Sequence, residues 1–95
     1  MAEQLFFILA TLPTDHQPDY TPCHMTLAEC QTFLGGWVEM VPSRNPAMAL
    51  LVDEEGLLKE RPPNAWATAL CHPDTYLFDA IRGPALLIAR QKDPL

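Results

Sequence analysis

Apolar residues fall along this chain in short runs, and proline closes most of them. Leu5-Phe6-Phe7-Ile8-Leu9-Ala10 is a continuous apolar stretch ended by Pro13, a length and pattern that predict a buried strand. Thr14 to His24 is polar and holds Pro18 and Pro22, so it is expected to be a loop. Thr26-Leu27-Ala28-Glu29 then has the form of a capping box. In that motif the Thr26 hydroxyl accepts from the Glu29 amide, while the Glu29 carboxylate accepts from the Thr26 amide. Met25 and Cys30 occupy the staple positions around it. Leu27, Cys30, Phe33 and Leu34 line one helical face, and Gly35 stands where a left-handed C-cap is wanted. A helix over 27–34 follows.

Trp37-Val38-Glu39-Met40-Val41 predicts a second strand, closed by Pro42, and Ser43-Arg44-Asn45-Pro46 is turn chemistry. Ala47-Met48-Ala49-Leu50-Leu51-Val52 is apolar on both faces, as a central strand would be. Asp53-Glu54-Glu55-Gly56 turns the chain, with Gly56 free to take positive φ and Leu57-Leu58 able to return briefly alongside. Pro62-Pro63 stops regular structure, and Asn64 caps a short helix over 65–71 that ends before Pro73. Strands are predicted over 76–78 and 84–89, with a turn or bulge at Gly83 between them, and residues 91–95 are expected to fray. The order strand, helix, strand, strand, helix, strand predicts the α+β class. The expected architecture is a small β-α-β-β-α-β-like, antiparallel-rich sheet with two short helices on one face, related to the split β-α-β sandwich.

Length and composition narrow the picture. The 95 residues make one domain, residues 1–95, and 48% apolar against 19% charged content excludes a disordered chain. A net charge of −6 repels nucleic-acid backbones and anionic membranes. Lys59 with Arg61, and Arg90 with Lys92, form no basic stripe, so neither nucleic acid nor a membrane is expected as a partner. The three cysteines, Cys23, Cys30 and Cys71, are an odd set without regular spacing, which points to reduced thiols and a cytoplasmic setting. Met1-Ala2-Glu3-Gln4 has no positive charge of the kind that opens a signal peptide, and the run over 5–12 is too short to span a bilayer.

Candidate chemistry is sparse. Cys23-His24 and Cys71-His72, with His16 and Cys30, could be imagined around zinc, but no C-x₂-C knuckle is present. Neighbouring residues on a strand also point to opposite faces. Cys30 and Cys71 are better read as small core residues and the histidines as loop residues, with no metal site and no cysteine nucleophile. Asp53-Glu54-Glu55-Gly56 has too few spaced oxygens for a calcium loop and is expected to be a solvated turn. Asn64 and the amides after it could meet an anion, Arg82 could add a guanidinium, and Trp37 and Trp66 could stack on a ring, with Thr68 nearby. Together they would make a pocket for a small phosphorylated or nucleotide-like ligand. The competing reading is that Asn64 caps, Thr68 bonds within its helix and both tryptophans pack. No P-loop, dinucleotide glycine pattern or Ser-His-Asp grouping is present, so neither a cofactor nor enzyme activity is expected.

Four short motifs appear in order: Gly35-Gly36-Trp37-Val38-Glu39-Met40-Val41, Val52-Asp53-Glu54-Glu55-Gly56, Pro62-Pro63-Asn64-Ala65-Trp66-Ala67-Thr68-Ala69-Leu70 and Ile81-Arg82-Gly83-Pro84-Ala85-Leu86-Leu87. They resemble the domain of unknown function numbered 3846, found in small phage, plasmid and bacterial proteins. Thr11 to His24 lies outside those motifs. The resemblance implies a mobile-element setting and no established activity. The expectation is therefore a non-enzymatic accessory binding protein of phage or mobile-element type that captures a host protein bearing a basic patch. The alternative is a sequestering, anti-defence protein that holds a small anionic, nucleotide-like signal near Trp37, Trp66 and Arg82, with a homodimer through the apolar strand faces enlarging the pocket. A small hydrolase or transferase would need a converging acid–base pair, for which His16, His24 and His72 are the candidates.

Overall fold

The computed structural model describes residues 5–56, 59–74 and 80–90. Five strands and two helices follow in the order β1 (Leu5–Leu12), β2 (Cys23–Thr26), α1 (Leu27–Leu34), β3 (Val38–Pro42), β4 (Met48–Asp53), α2 (Ala65–Leu70) and β5 (Ala85–Ala89). The strands form one antiparallel sheet in the order β2-β1-β5-β4-β3. The α+β class expected from the sequence is the class observed. The strand predicted over 76–78, the return at Leu57-Leu58 and the fraying of 91–95 lie outside the described residues.

Helix α1 forms as its caps dictate. The Thr26 amide donates to Glu29 Oε1 at 2.9 Å and the Glu29 amide donates to Thr26 Oγ1 at 3.1 Å. At the other end Gly35 sits at φ +85° and its amide donates to the Gln31 carbonyl at 2.8 Å. Met25 and Cys30, the staple pair, share one hydrophobic cluster.

The two helices do not share a face. Leu50 and Val52 of β4, and Ala85 and Leu87 of β5, join the cluster that holds Ala67 and Cys71 from the α2 region. Their neighbours Ala49, Leu51, Leu86 and Ile88 join the cluster that holds Cys30 and Leu34 of α1. Successive strand residues point to opposite faces, so α1 covers one face and α2 the other. This corrects the expected one-face arrangement. The physical reason lies in β4 and β5, whose residues are buried almost without interruption, as strands covered on both sides must be.

The strand order is corrected too. Part of the expected loop from Thr14 to His24 is strand β2, which pairs with β1 through Ile8–Cys23, Phe7–His24 and Phe6–Met25. Phe7 and His24 stack at 4.9 Å between ring centroids. Thr11 and Asp19 exchange backbone hydrogen bonds of 2.9 and 3.0 Å, so the intervening turn is tied to β1. A short edge strand needs no long apolar run, which is why its sequence looks like a loop. Strands β1 and β4 each run antiparallel to β5, which lies between them. In β1 the pairing to β5 slips between Ile8 and Ala10. That bulge sends Ile8 to the α1 cluster and Ala10 and Leu12 to the α2 cluster, so one strand serves both cores.

Thr26→Ala removes one half of the capping box. It is expected to lower unfolding stability by about 1 kcal/mol, seen as a lower urea midpoint at an unchanged slope.

Candidate functional site

The chain between β4 and β5 closes on itself through two polar centres. The first is Asn64, which is fully buried. Its Oδ1 accepts from the Ala67 amide at 3.0 Å, the N-cap bond of α2. Its Nδ2 donates to the carbonyls of Leu12 at 2.8 Å and Gly83 at 3.0 Å. Its own amide donates to the Ile81 carbonyl at 2.7 Å. Thr68 completes the centre: its hydroxyl donates to the Asn64 carbonyl at 2.7 Å and accepts from the Ile81 amide at 3.0 Å. Arg82 lies beside it, with Nη1 donating to the Arg61 carbonyl at 3.2 Å.

The second centre is Asp53, which the sequence places in a solvated turn and the structure buries. Its side chain is inaccessible to solvent, and Oδ2 receives both Lys59 Nζ and Arg61 Nε at 3.1 Å. Oδ1 accepts from the Glu55 amide at 2.9 Å. Lys59 Nζ also donates to the Gly35 carbonyl at 3.1 Å, which ties the end of α1 to the end of β4. Burial alone pushes the Asp53 carboxyl up. The Glu55 amide, the Lys59 ammonium and the Arg61 guanidinium outweigh that and hold it below the ordinary carboxylate range. Gly56 does not use the positive φ open to it. It is needed for close approach, since a Cβ there would lie 2.6 Å from the Arg82 carbonyl oxygen.

Of the five residues proposed for a ligand pocket, the structure brings Asn64, Thr68 and Arg82 together. Trp37 and Trp66 are both exposed, at 68% and 48%, rather than packed in the core. Trp66 projects from α2, whereas Trp37 lines a surface cavity of about 240 Å³ with Gln31 and Gly36 beside α1. Lys59 Nζ reaches this margin, 2.6 Å from where a Cβ on Gly36 would stand. Asp53, Lys59 and Arg61 were missed by sequence reasoning. Their signal was a carboxylate directly after an unbroken apolar strand, followed at short distance by two bases.

Trp37 opens onto the outer edge of β3. The Glu54 amide donates to the Trp37 carbonyl at 2.9 Å, and the register pairs Glu39 with Val52 and Val41 with Leu50. Alternation along an antiparallel ladder makes these the hydrogen-bonded pairs and turns the backbone groups of Val38, Met40 and Pro42 outward. The Pro42 carbonyl is met there by the His72 amide at 3.0 Å, so the end of α2 closes one end of the edge. At Val38 and Met40 no backbone partner is found among the described residues.

Cys30 and Cys71 are buried and Cys23 is exposed. Burial first, and the Glu29 carboxylate second, push the Cys30 thiol up. Among the described residues no three His, Cys, Asp or Glu side chains converge as a metal site. Among the same residues no helix is long and apolar enough to cross a membrane.

A family model described as a domain of unknown function (DUF3846) matches residues 10–94. The chain belongs to the DUF3846 family. No curated protein and no solved structure matches it. The DUF3846 match takes in Thr11 to His24, which the four motifs leave out. Segments of all four motifs meet in the fold. Gly35 and Gly36 lie against Lys59, Arg61 and Asp53, Gly56 lies against Arg82, and Asn64 bonds to Gly83. The four motifs thus come together at one packed end of the sheet.

Two substitutions separate the centres. Asn64→Ala removes the α2 cap and the donor to two buried carbonyls, with an expected loss of about 3 kcal/mol in chemical denaturation. Asp53→Asn leaves Lys59 and Arg61 without their carboxylate. Because both cations are partly solvated, the expected loss near neutral pH is about 2–3 kcal/mol. A carboxyl held low stabilises the fold fully above its unfolded value, about 4, and loses that contribution as pH falls through the lower folded value. Stability measured from about pH 5 downward should therefore fall less steeply in Asp53→Asn than in the wild type.

Proposed function

We propose that this DUF3846 member is a non-enzymatic accessory binding protein, of cytoplasmic phage or mobile-element type, that captures a host protein. The observation that carries the proposal is Trp37, 68% exposed beside the outer edge of β3, with Met40 52% exposed on the same strand. Tryptophan is among the residue types that most often anchor protein interfaces. A folded chain gains nothing for its own core from leaving one in water. The acidic balance of the chain, −6, favours a partner with a basic patch and speeds encounter with it. No step of catalysis enters this reading, because the polar groups of the two buried centres are engaged with the protein itself.

The sequestering alternative has one observation in its favour, the cavity at Trp37 with Lys59 at its margin. Its volume of about 240 Å³ falls below the 300–1,000 Å³ usual for small-molecule sites, so a homodimer would have to enlarge it. That requirement places it second.

The test is capture of host protein by the tagged wild type and by Trp37→Ala. The substitution should leave stability within about 0.5 kcal/mol, since the side chain is exposed. Capture should fall at least tenfold. Undiminished capture would remove Trp37 from the interface. A nucleotide that raises the melting temperature of the wild type, and loses the effect in Trp37→Ala and Arg82→Ala, would instead support the sequestering reading.

A further inference from the structure

The outer edge of β3 carries different chemistry on its two sides. Val38 packs against the cluster of α1, and Met40, two residues on, faces the same side with half its surface exposed. Val41 belongs to the cluster of α2, so Glu39 faces that side, where it is exposed. Glu54, in the turn directly after β4, is exposed as well, and its amide is bonded to the Trp37 carbonyl. Neither carboxylate has an ion-pair partner among the described residues. An added strand would therefore meet apolar surface with every second side chain and negative charge with the others.

We propose that β3 accepts an extended segment of a partner protein by strand addition, and that the segment alternates apolar with basic residues. This rests on the protein-capture reading above and names its partner. The backbone groups of Val38 and Met40 would supply the hydrogen bonds, Met40 the apolar contact on one side and Glu39 the choice of charge on the other, with Trp37 at the end of the edge. A second copy of this chain is a poorer occupant, because its β3 carries no basic residue to set against Glu39. Antiparallel self-pairing that joins Val38 to Met40 of the other copy sets Glu39 directly opposite Glu39, and like charges in that position are destabilising.

The whole protein should be titrated with a fluorescein-labelled peptide alternating valine and lysine, read by anisotropy. Binding is expected, at least tenfold tighter than to a peptide alternating valine and glutamate. Glu39→Lys should reverse or abolish that preference. Methylating alternate backbone nitrogens of the peptide, which removes its edge donors while keeping its charge, should weaken binding at least tenfold. Hydrogen exchange at the Val38 and Met40 amides should slow on binding. Any of three results overturns the inference: a methylated peptide that binds as well as its parent, a Glu39→Lys protein with unchanged preference, or Val38 and Met40 amides already protected in the free protein. Host protein captured equally by wild type and Glu39→Lys would leave the capture reading standing and sink the edge as its site. The expected peptide switch without any host protein captured would do the reverse.

Discussion

The buried side chain of Asn64 bonds three parts of the chain at one point, where the end of β1, the start of β5 and helix α2 converge. One amide group caps the first turn of α2, reaches the last carbonyl of β1 and bonds the Gly83 carbonyl just before β5. Only a side chain carrying an acceptor and two donors on one planar group can do all three at once. Aspartate would cap but could not donate, and serine could not span the distances. Helix α2 has six residues, too few to be stable alone, so its place on the sheet depends on this cap and on Ala67 beneath it. The end of β1 pairs with β5 through Leu12 and Ala85, and the Asn64 bonds add a second tie at that point.

Asp53 does the corresponding task on the α1 side. It gathers Lys59 and Arg61, and through Lys59 it reaches the Gly35 carbonyl that ends α1. The two centres are joined by Arg61, whose carbonyl accepts from Arg82 while its Nε binds Asp53. One end of the sheet is therefore cross-linked from both faces. Trp37 follows directly after the glycine pair held in that cross-link. An exposed aromatic on a rigid support loses little conformational entropy when it binds, which is the condition for an effective anchor.

The sequence makes some of this legible and conceals the rest for identifiable reasons. The capping box and Gly35 delimit α1 because caps are local: Thr26, Glu29 and Gly35 act within a few residues of one another. Asn64 is legible as a cap for the same reason, but its bonds to Leu12 and Gly83 span 52 and 19 residues, and no local pattern announces them. The opposite placement of the helices was present in the pattern all along. Residues 47–52 are apolar at successive positions, and a strand apolar on both faces requires cover on both. Asp53 reads as a solvated turn because its neighbours Glu54 and Glu55 are solvated, and only the third dimension brings Lys59 and Arg61 back to it. Strand β2 escapes notice because an edge strand of four residues needs neither length nor apolar alternation.

Glu39 brings fold and function to one position. A free sheet edge invites association with any strand, and natural edges carry charge to discourage it. Glu39 is the charge on the open part of this edge, while Pro42 and the end of α2 close the rest. A single negative charge is a selective guard. It repels another acidic copy of the chain, yet attracts a strand that brings lysine or arginine to the same position. The device that keeps an acidic protein from pairing with itself is then the device that lets it recognise a basic partner, and the exposed Trp37 beside it gives such a partner somewhere to bury apolar surface.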